Sequence, residues 1–227
     1  MTSAGMPPGI NDPAEIASSA ASHGHGGWLA AAVSGVALIA SGVSLWESTL
    51  KQPDIKIYVS ENIHYTRDPY GSYEVLAVPV TIANSGARDG AVISLRLEVK
   101  NVTTGQTETF KSAFTADAQY FGSRDDYAAR LKRPKLPFAP LSVAGRGAFT
   151  GTVLFYQAEY SEKKLIEPMV RLEMTLTVVT PPAEGWLDRM LVALPTPVTV
   201  TASVPNFLAG ALLSGENARL KVSSGAL

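Results

Sequence analysis

The side chains best able to do chemistry in this sequence are few and scattered. There is no cysteine, and there are three histidines. The first fact removes thiol catalysis, thiolate zinc sites, iron–sulfur clusters and disulfide scaffolds together. His23-Gly24-His25 offers two imidazoles, an incomplete metal site on a segment with little apolar bulk to hold it, and His64 has no recognisable partner. Ser48-Thr49-Leu50-Lys51 and Ser161-Glu162-Lys163-Lys164 have the Ser-x-x-Lys spacing of some serine–lysine hydrolases. The accompanying motifs are missing, and two fixed positions in four arise often by chance. No Gly-x-Ser-x-Gly, phosphate-binding loop, dinucleotide fingerprint or His-Glu-x-x-His is present, and Asp125-Asp126 lacks the spacing of a calcium loop. Asn101-Val102-Thr103 has the form of a glycosylation sequon. A nucleophile, a base and an orienting group cannot be assembled from these residues. The expectation is a protein without enzymatic activity: no catalytic residue, no cofactor, no metal and no small-molecule substrate.

Residues suited to recognition are easier to find. The segment 62–73 carries Tyr65, Arg67, Tyr70 and Tyr73, the composition that contact surfaces favour, and reads as a recognition loop. Residues 124–135 hold Arg124, Arg130, Lys132, Arg133 and Lys135 against Asp125 and Asp126, which reads as a solvated loop with local ion pairs worth little; the alternative is a basic cluster that meets anionic headgroups or an acidic partner. The 19 basic and 20 acidic residues nearly cancel, so nucleic acid is not an expected partner.

The elements that must position these residues fall into three parts. Residues 1–27 are rich in Gly, Ser, Ala and Pro with little apolar bulk, and are expected to be disordered. Trp28 to Trp46 is a run of 19 uncharged residues, about 28 Å as a helix and close to the hydrocarbon thickness of a bilayer. A tryptophan at each end, Trp28 and Trp46, suits the two interfaces. A basic n-region and a good cleavage site are missing, which favours an uncleaved membrane span over a signal peptide. On a helical wheel Ala30, Ser34, Ala37, Ser41 and Ser44 form one stripe, a seam that permits close approach and hydrogen bonding to a neighbouring helix. Residues 1–50 contain no Lys or Arg, whereas Lys51 and Lys56 come after the span. The positive-inside rule therefore favours an outside N-terminus and a cytoplasmic main domain over a periplasmic one.

Beyond a linker at 47–53 the hydrophobic period changes to two. Ile55, Ile57 and Val59 alternate with polar neighbours, as do the series Leu76–Ile82, Ile93–Val99, Val170–Val178 and Val198–Val204, with further strands at 106–110 and 147–157. One buried and one wet face per strand, about seven strands and few helices between them predict two packed antiparallel sheets over residues 54–204. The C-terminal segment, 205–227, reads as a tail. Prolines bracket 181–197, where Trp186, Leu187, Met190, Leu191 and Leu194 make a short apolar helix. It could cap the core or, with the apolar stretch 205–215, form a docking surface on the membrane or another subunit.

The stretch Pro79-Val80-Thr81-Ile82-Ala83-Asn84-Ser85-Gly86-Ala87-Arg88-Asp89-Gly90-Ala91-Val92-Ile93 ends one strand in Asn-x-Gly and enters another. With the preceding span and polar link, it resembles bacterial single-pass membrane-anchored proteins with an immunoglobulin-like β-sandwich domain. That resemblance is architectural and implies a mainly β fold after one transmembrane helix. The functional expectation is an accessory or scaffold subunit, bound to membrane lipid and to other membrane-protein subunits. The alternative is a free-standing anchored module that recognises a protein or ligand through its loops.

Overall fold

The computed structural model describes residues 26–67, 73–116, 136–182, 185–186, 190, 194–213 and 217–223. The chain forms two compact units, Met1–Thr49 and Leu50–Leu227. In the first, helix α1 spans Gly26–Leu45 and continues into a π-helical turn at Trp46–Leu50. The segment Gly27–Leu50 is long and apolar enough to cross a membrane, and none of it is buried.

Among its described residues the second unit has twelve strands: β1 (Ile55–Val59), β2 (Asn62–Arg67), β3 (Glu74–Asn84), β4 (Gly90–Val92), β5 (Ser94–Asn101), β6 (Thr107–Ala116), β7 (Leu136–Pro137), β8 (Leu141–Val143), β9 (Ala148–Gln157), β10 (Arg171–Val179), β11 (Val198–Ser203) and β12 (Ala218–Ser223), with a short helix α2 (Ala209–Leu213). Eight of them close a ring of antiparallel pairs in the order β3, β2, β12, β11, β10, β5, β6, β9 and back to β3. The expected immunoglobulin-like sandwich is therefore wrong: the fold is a closed β-barrel. Two segments make the difference. Residues 62–67, read as a loop, form β2, and residues 218–223, read as tail, form β12. They pair with each other, Ile63 against Leu220 and Tyr65 against Ala218, and so join β3 to β11.

Directly paired residues share a face, so the register assigns the interior. Leu76, Val78, Val80 and Ile82 of β3 face Phe155, Val153, Gly151 and Phe149 of β9. A Cβ on Gly151 would meet the Phe149 ring at 2.8 Å, so the missing side chain is what lets that ring lie inside. Leu95, Leu97 and Val99 of β5, Phe110 of β6, Leu172, Met174 and Leu176 of β10, and Ala202 of β11 fill the rest. An eight-stranded barrel is just wide enough for its own side chains to occupy the lumen, and that is the state here. Ile93, expected to be the first inward residue of its strand, precedes β5 and is 41% exposed.

β1 and β2 run end to end along one edge of β3. Val59 and His64 are five positions apart where their partners Val80 and Ala77 are three apart, a bulge that bends the strand around the barrel. β3 and β9 depart from simple alternation: Val75, Ala77 and Leu154 on their outer face are also buried, packed with Phe114, Ala116 and Tyr156.

Candidate functional site

The barrel has two different ends. At the entry end, where residues 51–54 join β1, Asn84 is buried and uses both ends of its amide. Its Oδ1 accepts from the Asp54 amide at 3.1 Å and the Gly86 amide at 3.0 Å, while Nδ2 donates to the carbonyls of Arg88 (2.8 Å) and Val143 (3.1 Å). The Lys51 carbonyl accepts from the amides of Ala87 (3.0 Å) and Arg88 (3.2 Å). A Cβ on Gly86 would overlap the Gln52 carbonyl, so glycine is what this approach requires. The Asn-x-Gly turn thus clamps three chain segments together, a role unrelated to the sandwich that the resemblance implied.

At the far end the β9–β10 connection folds over the barrel mouth and buries Leu165 and Ile166 completely. Glu74, also fully buried, holds it there. Its Oε2 accepts from the Leu165 amide at 2.9 Å, and Oε1 from the Ile166 amide at 3.0 Å and the Tyr65 hydroxyl at 2.7 Å. Arg67 Nε donates to the Tyr65 oxygen at 3.2 Å, and Asn101 Nδ2 donates to the Leu165 carbonyl at 3.0 Å. Burial, and then the Glu74 charge, push the Tyr65 hydroxyl far above its ordinary pKa, so it stays a donor. The neighbouring amide of Gln157 is buried with neither polar atom hydrogen-bonded.

This arrangement overturns part of the expected recognition loop. Tyr65 is an interior residue of β2, fully buried beneath the plug, and Arg67 is bonded to it, so neither forms the face of a loop. Tyr70 lies outside the described residues. Tyr73 is 38% exposed and packs edge-on against Tyr160 at 6.2 Å, with Lys164 Nζ 5.6 Å from the Tyr160 ring centre. The sequence reading missed Tyr160 because it treated 161–164 only as a serine–lysine motif. Beside this rim, Pro205, Phe207, Leu208, Leu212 and Arg219 line a groove of about 510 Å³.

In both Ser-x-x-Lys patterns the serine hydroxyl is engaged by the main chain. Ser48 Oγ donates to the Leu45 carbonyl at 3.4 Å, and Ser161 Oγ donates to the Lys163 carbonyl at 2.8 Å while Lys164 Nζ donates to the Ser161 carbonyl. Each hydroxyl is turned to a main-chain carbonyl. The Asn101 side chain is buried, its Oδ1 accepting from the amides of Thr103 and Thr104, so it presents no amide for a glycan. His64, half-buried on the outer face of β2, pairs in register with Arg219 of β12. Burial and then that guanidinium hold its pKa below the usual value. His23, His25 and the basic cluster 124–135 lie outside the described residues.

All five seam residues, Ala30, Ser34, Ala37, Ser41 and Ser44, are exposed on α1, as are Trp28 and Trp46. Of the expected docking surface, Trp186 and Met190 are 71% and 77% exposed, while Leu187 and Leu191 lie outside the described residues. Trp186 and Met190 do not cap the core. Nor does their segment attach where 205–213 does: β11 runs between them, with Val198 toward the entry end and Ser203 toward the far end.

No protein family matches the chain, and no curated protein matches its sequence. Among solved structures, the uncharacterised ApaA protein from Bordetella pertussis aligns at 16% identity over 57% of this chain and 82% of that one, with a TM-score of 0.28. At that score the likeness carries no argument.

Proposed function

We propose that the chain is a single-pass membrane protein serving as a non-catalytic accessory or scaffold subunit. In this reading α1 crosses the bilayer and offers its Ala30–Ser44 seam to a neighbouring helix of a larger complex. The barrel is the extramembrane module, on the cytoplasmic side that Lys51 and Lys56 favour. The observation that carries the reading is the fully exposed apolar helix Gly27–Leu50 running directly into a barrel of independent core. Association between helices in lipid depends on close approach and hydrogen bonding, and the small-residue face supplies both. The filled lumen adds support, since the barrel's interior is occupied by its own side chains rather than shaped around a ligand. The loop-recognition alternative is weaker for losing Tyr65 to the interior.

The test is purification of the full chain in mild detergent, with intact mass and the stoichiometry of co-purifying proteins read together. A mass retaining α1 and a near-stoichiometric membrane complex are expected. Ser34→Leu with Ser41→Leu should abolish that association while leaving the barrel folded. Recovery of the wild-type chain alone sinks the subunit reading, and a mass lacking α1 sinks the span.

A further inference from the structure

The residues that follow the π-helical turn belong to the barrel from the first. Helical geometry ends at Leu50, and the very next residue, Lys51, is hydrogen-bonded to Ala87 and Arg88 on the barrel rim. Gln52 is packed against Gly86, and the Asp54 carbonyl accepts from Ser85 at 2.9 Å. Consecutive Cα atoms are about 3.8 Å apart, so chain continuity alone keeps the entry end within a residue or two of wherever Leu50 lies.

The same rim bears the β10–β11 connection. Val179 ends β10, with its carbonyl accepting from the Ile93 amide at 2.8 Å, and Val198 begins β11 opposite Leu176. Both ends of this connection are therefore at the entry end. Within it Trp186, Met190 and Leu194 recur at four-residue spacing and are 71%, 77% and 83% exposed. Ile93 is exposed on the rim itself, as are Arg88 and Arg146 with Asp89 between the two loops they sit on. Large apolar side chains flanked by cations, one of them an indole, are the composition that settles at the headgroup–acyl boundary. Arginine at that level adds attraction to anionic headgroups.

We infer that the entry end of the barrel seats on the lipid surface, with Trp186, Met190 and Leu194 entering the headgroup–acyl boundary. The inference rests on α1 crossing the membrane. It gives the barrel a fixed polarity: the entry end faces lipid, and the plugged end, with Glu74, Tyr73, Tyr160 and the groove beside Phe207, faces away.

The test uses the full chain reconstituted in vesicles of phosphatidylcholine and phosphatidylglycerol, with and without acyl-brominated phosphatidylcholine, which quenches indole fluorescence at short range. Three single-tryptophan chains are compared. Trp28→Phe with Trp46→Phe leaves Trp186, and Trp28→Phe with Trp186→Phe leaves Trp46. Replacing all three by Phe and adding Leu208→Trp places an indole at the far end, where Leu208 is itself 79% exposed. Trp46 and Trp186 should both lose fluorescence on bromination, with Trp186 blue-shifted, while the indole from Leu208→Trp keeps its intensity. A quenched Trp46 beside an unquenched Trp186 overturns the seating and leaves the span intact, the rim then facing solvent or another subunit. Equal quenching of Trp186 and the Leu208→Trp indole also overturns it, because lipid contact would not be confined to one end. An unquenched Trp46 removes the span and the inference together.

Discussion

Glu74 is the residue on which the far end depends. A carboxylate inside a barrel is costly unless its oxygens are fully engaged, and here three donors converge on it: the Tyr65 hydroxyl and the amides of Leu165 and Ile166. Removing it strands all three. Each unsatisfied buried donor costs about 1–3 kcal/mol, so Glu74→Ala should destabilise the barrel by about 3 kcal/mol or more. Glu74→Gln retains one acceptor oxygen and should lose less. Urea denaturation followed by barrel circular dichroism measures both, and equal midpoints for wild type and Glu74→Ala would show that the plug is not held this way. The sequence had no means of revealing this. Glu74 stands at the edge of an apolar run, where an acid ordinarily marks the start of a solvent-exposed turn. Only the return of residues 165–166, some ninety positions later, turns it into a buried anchor.

Strands β2 and β12 matter most among the elements because they complete the ring. Their pairing is short, from Asn62–Lys221 to Tyr65–Ala218, and on its outer face His64 lies against Arg219. The sign of the pH effect is set by the depressed His64 pKa, caused first by burial and then by Arg219. The folded state holds His64 neutral, and the unfolded chain binds the proton more readily. The stability this provides is complete above the unfolded value of about 6.5 and is lost as pH falls through the lowered folded value. The urea midpoint should therefore drop between about pH 7.5 and about pH 5, and His64→Gln should show a smaller drop over that interval. An unchanged pH dependence in His64→Gln would remove the seam from the explanation. These strands escaped the sequence reading for a plain reason. Asn62–Arg67 contributes two inward apolar residues, Ile63 and Tyr65, and Ala218–Ser223 contributes Ala218, Leu220 and Val222. Period-two patterns this short, on segments rich in polar and turn-forming neighbours, do not stand out from loops. Long series such as Leu172–Val178 do.

For the whole molecule, the division at Thr49/Leu50 predicts independence. The barrel has its own core and no stave supplied by the described residues 26–49. The fragment Leu50–Leu227 should fold without α1 and unfold in one cooperative transition with the strand content of the full chain. Measuring its circular dichroism and urea transition beside those of the full chain in detergent checks this, and a fragment that fails to form the barrel contradicts it. If α1 is the membrane tether, the same fragment should lose both the complex and the lipid surface.

Local chemistry written along the chain was enough to determine the apolar helix, bounded by Trp28 and Trp46, and the β class of the residues after it. A charge-free run of that length and strict alternation in β5, β10 and β11 are properties of neighbouring residues, and tertiary contacts do not have to be known to read them. Whether the strands closed was beyond such a reading. A sandwich and a filled barrel ask the same of each strand, one buried face and one wet face. The difference between them is which edges meet, and that depends on β2 finding β12 across more than 150 residues. The same limit applies to the candidate sites. Tyr65 looked like a surface aromatic until strand register turned it inward, and Trp186 and Leu208 looked like one apolar surface until β11 was found to run between them. Side-chain type sets what a residue can do, but the register of distant strands decided which end of the barrel it does it on.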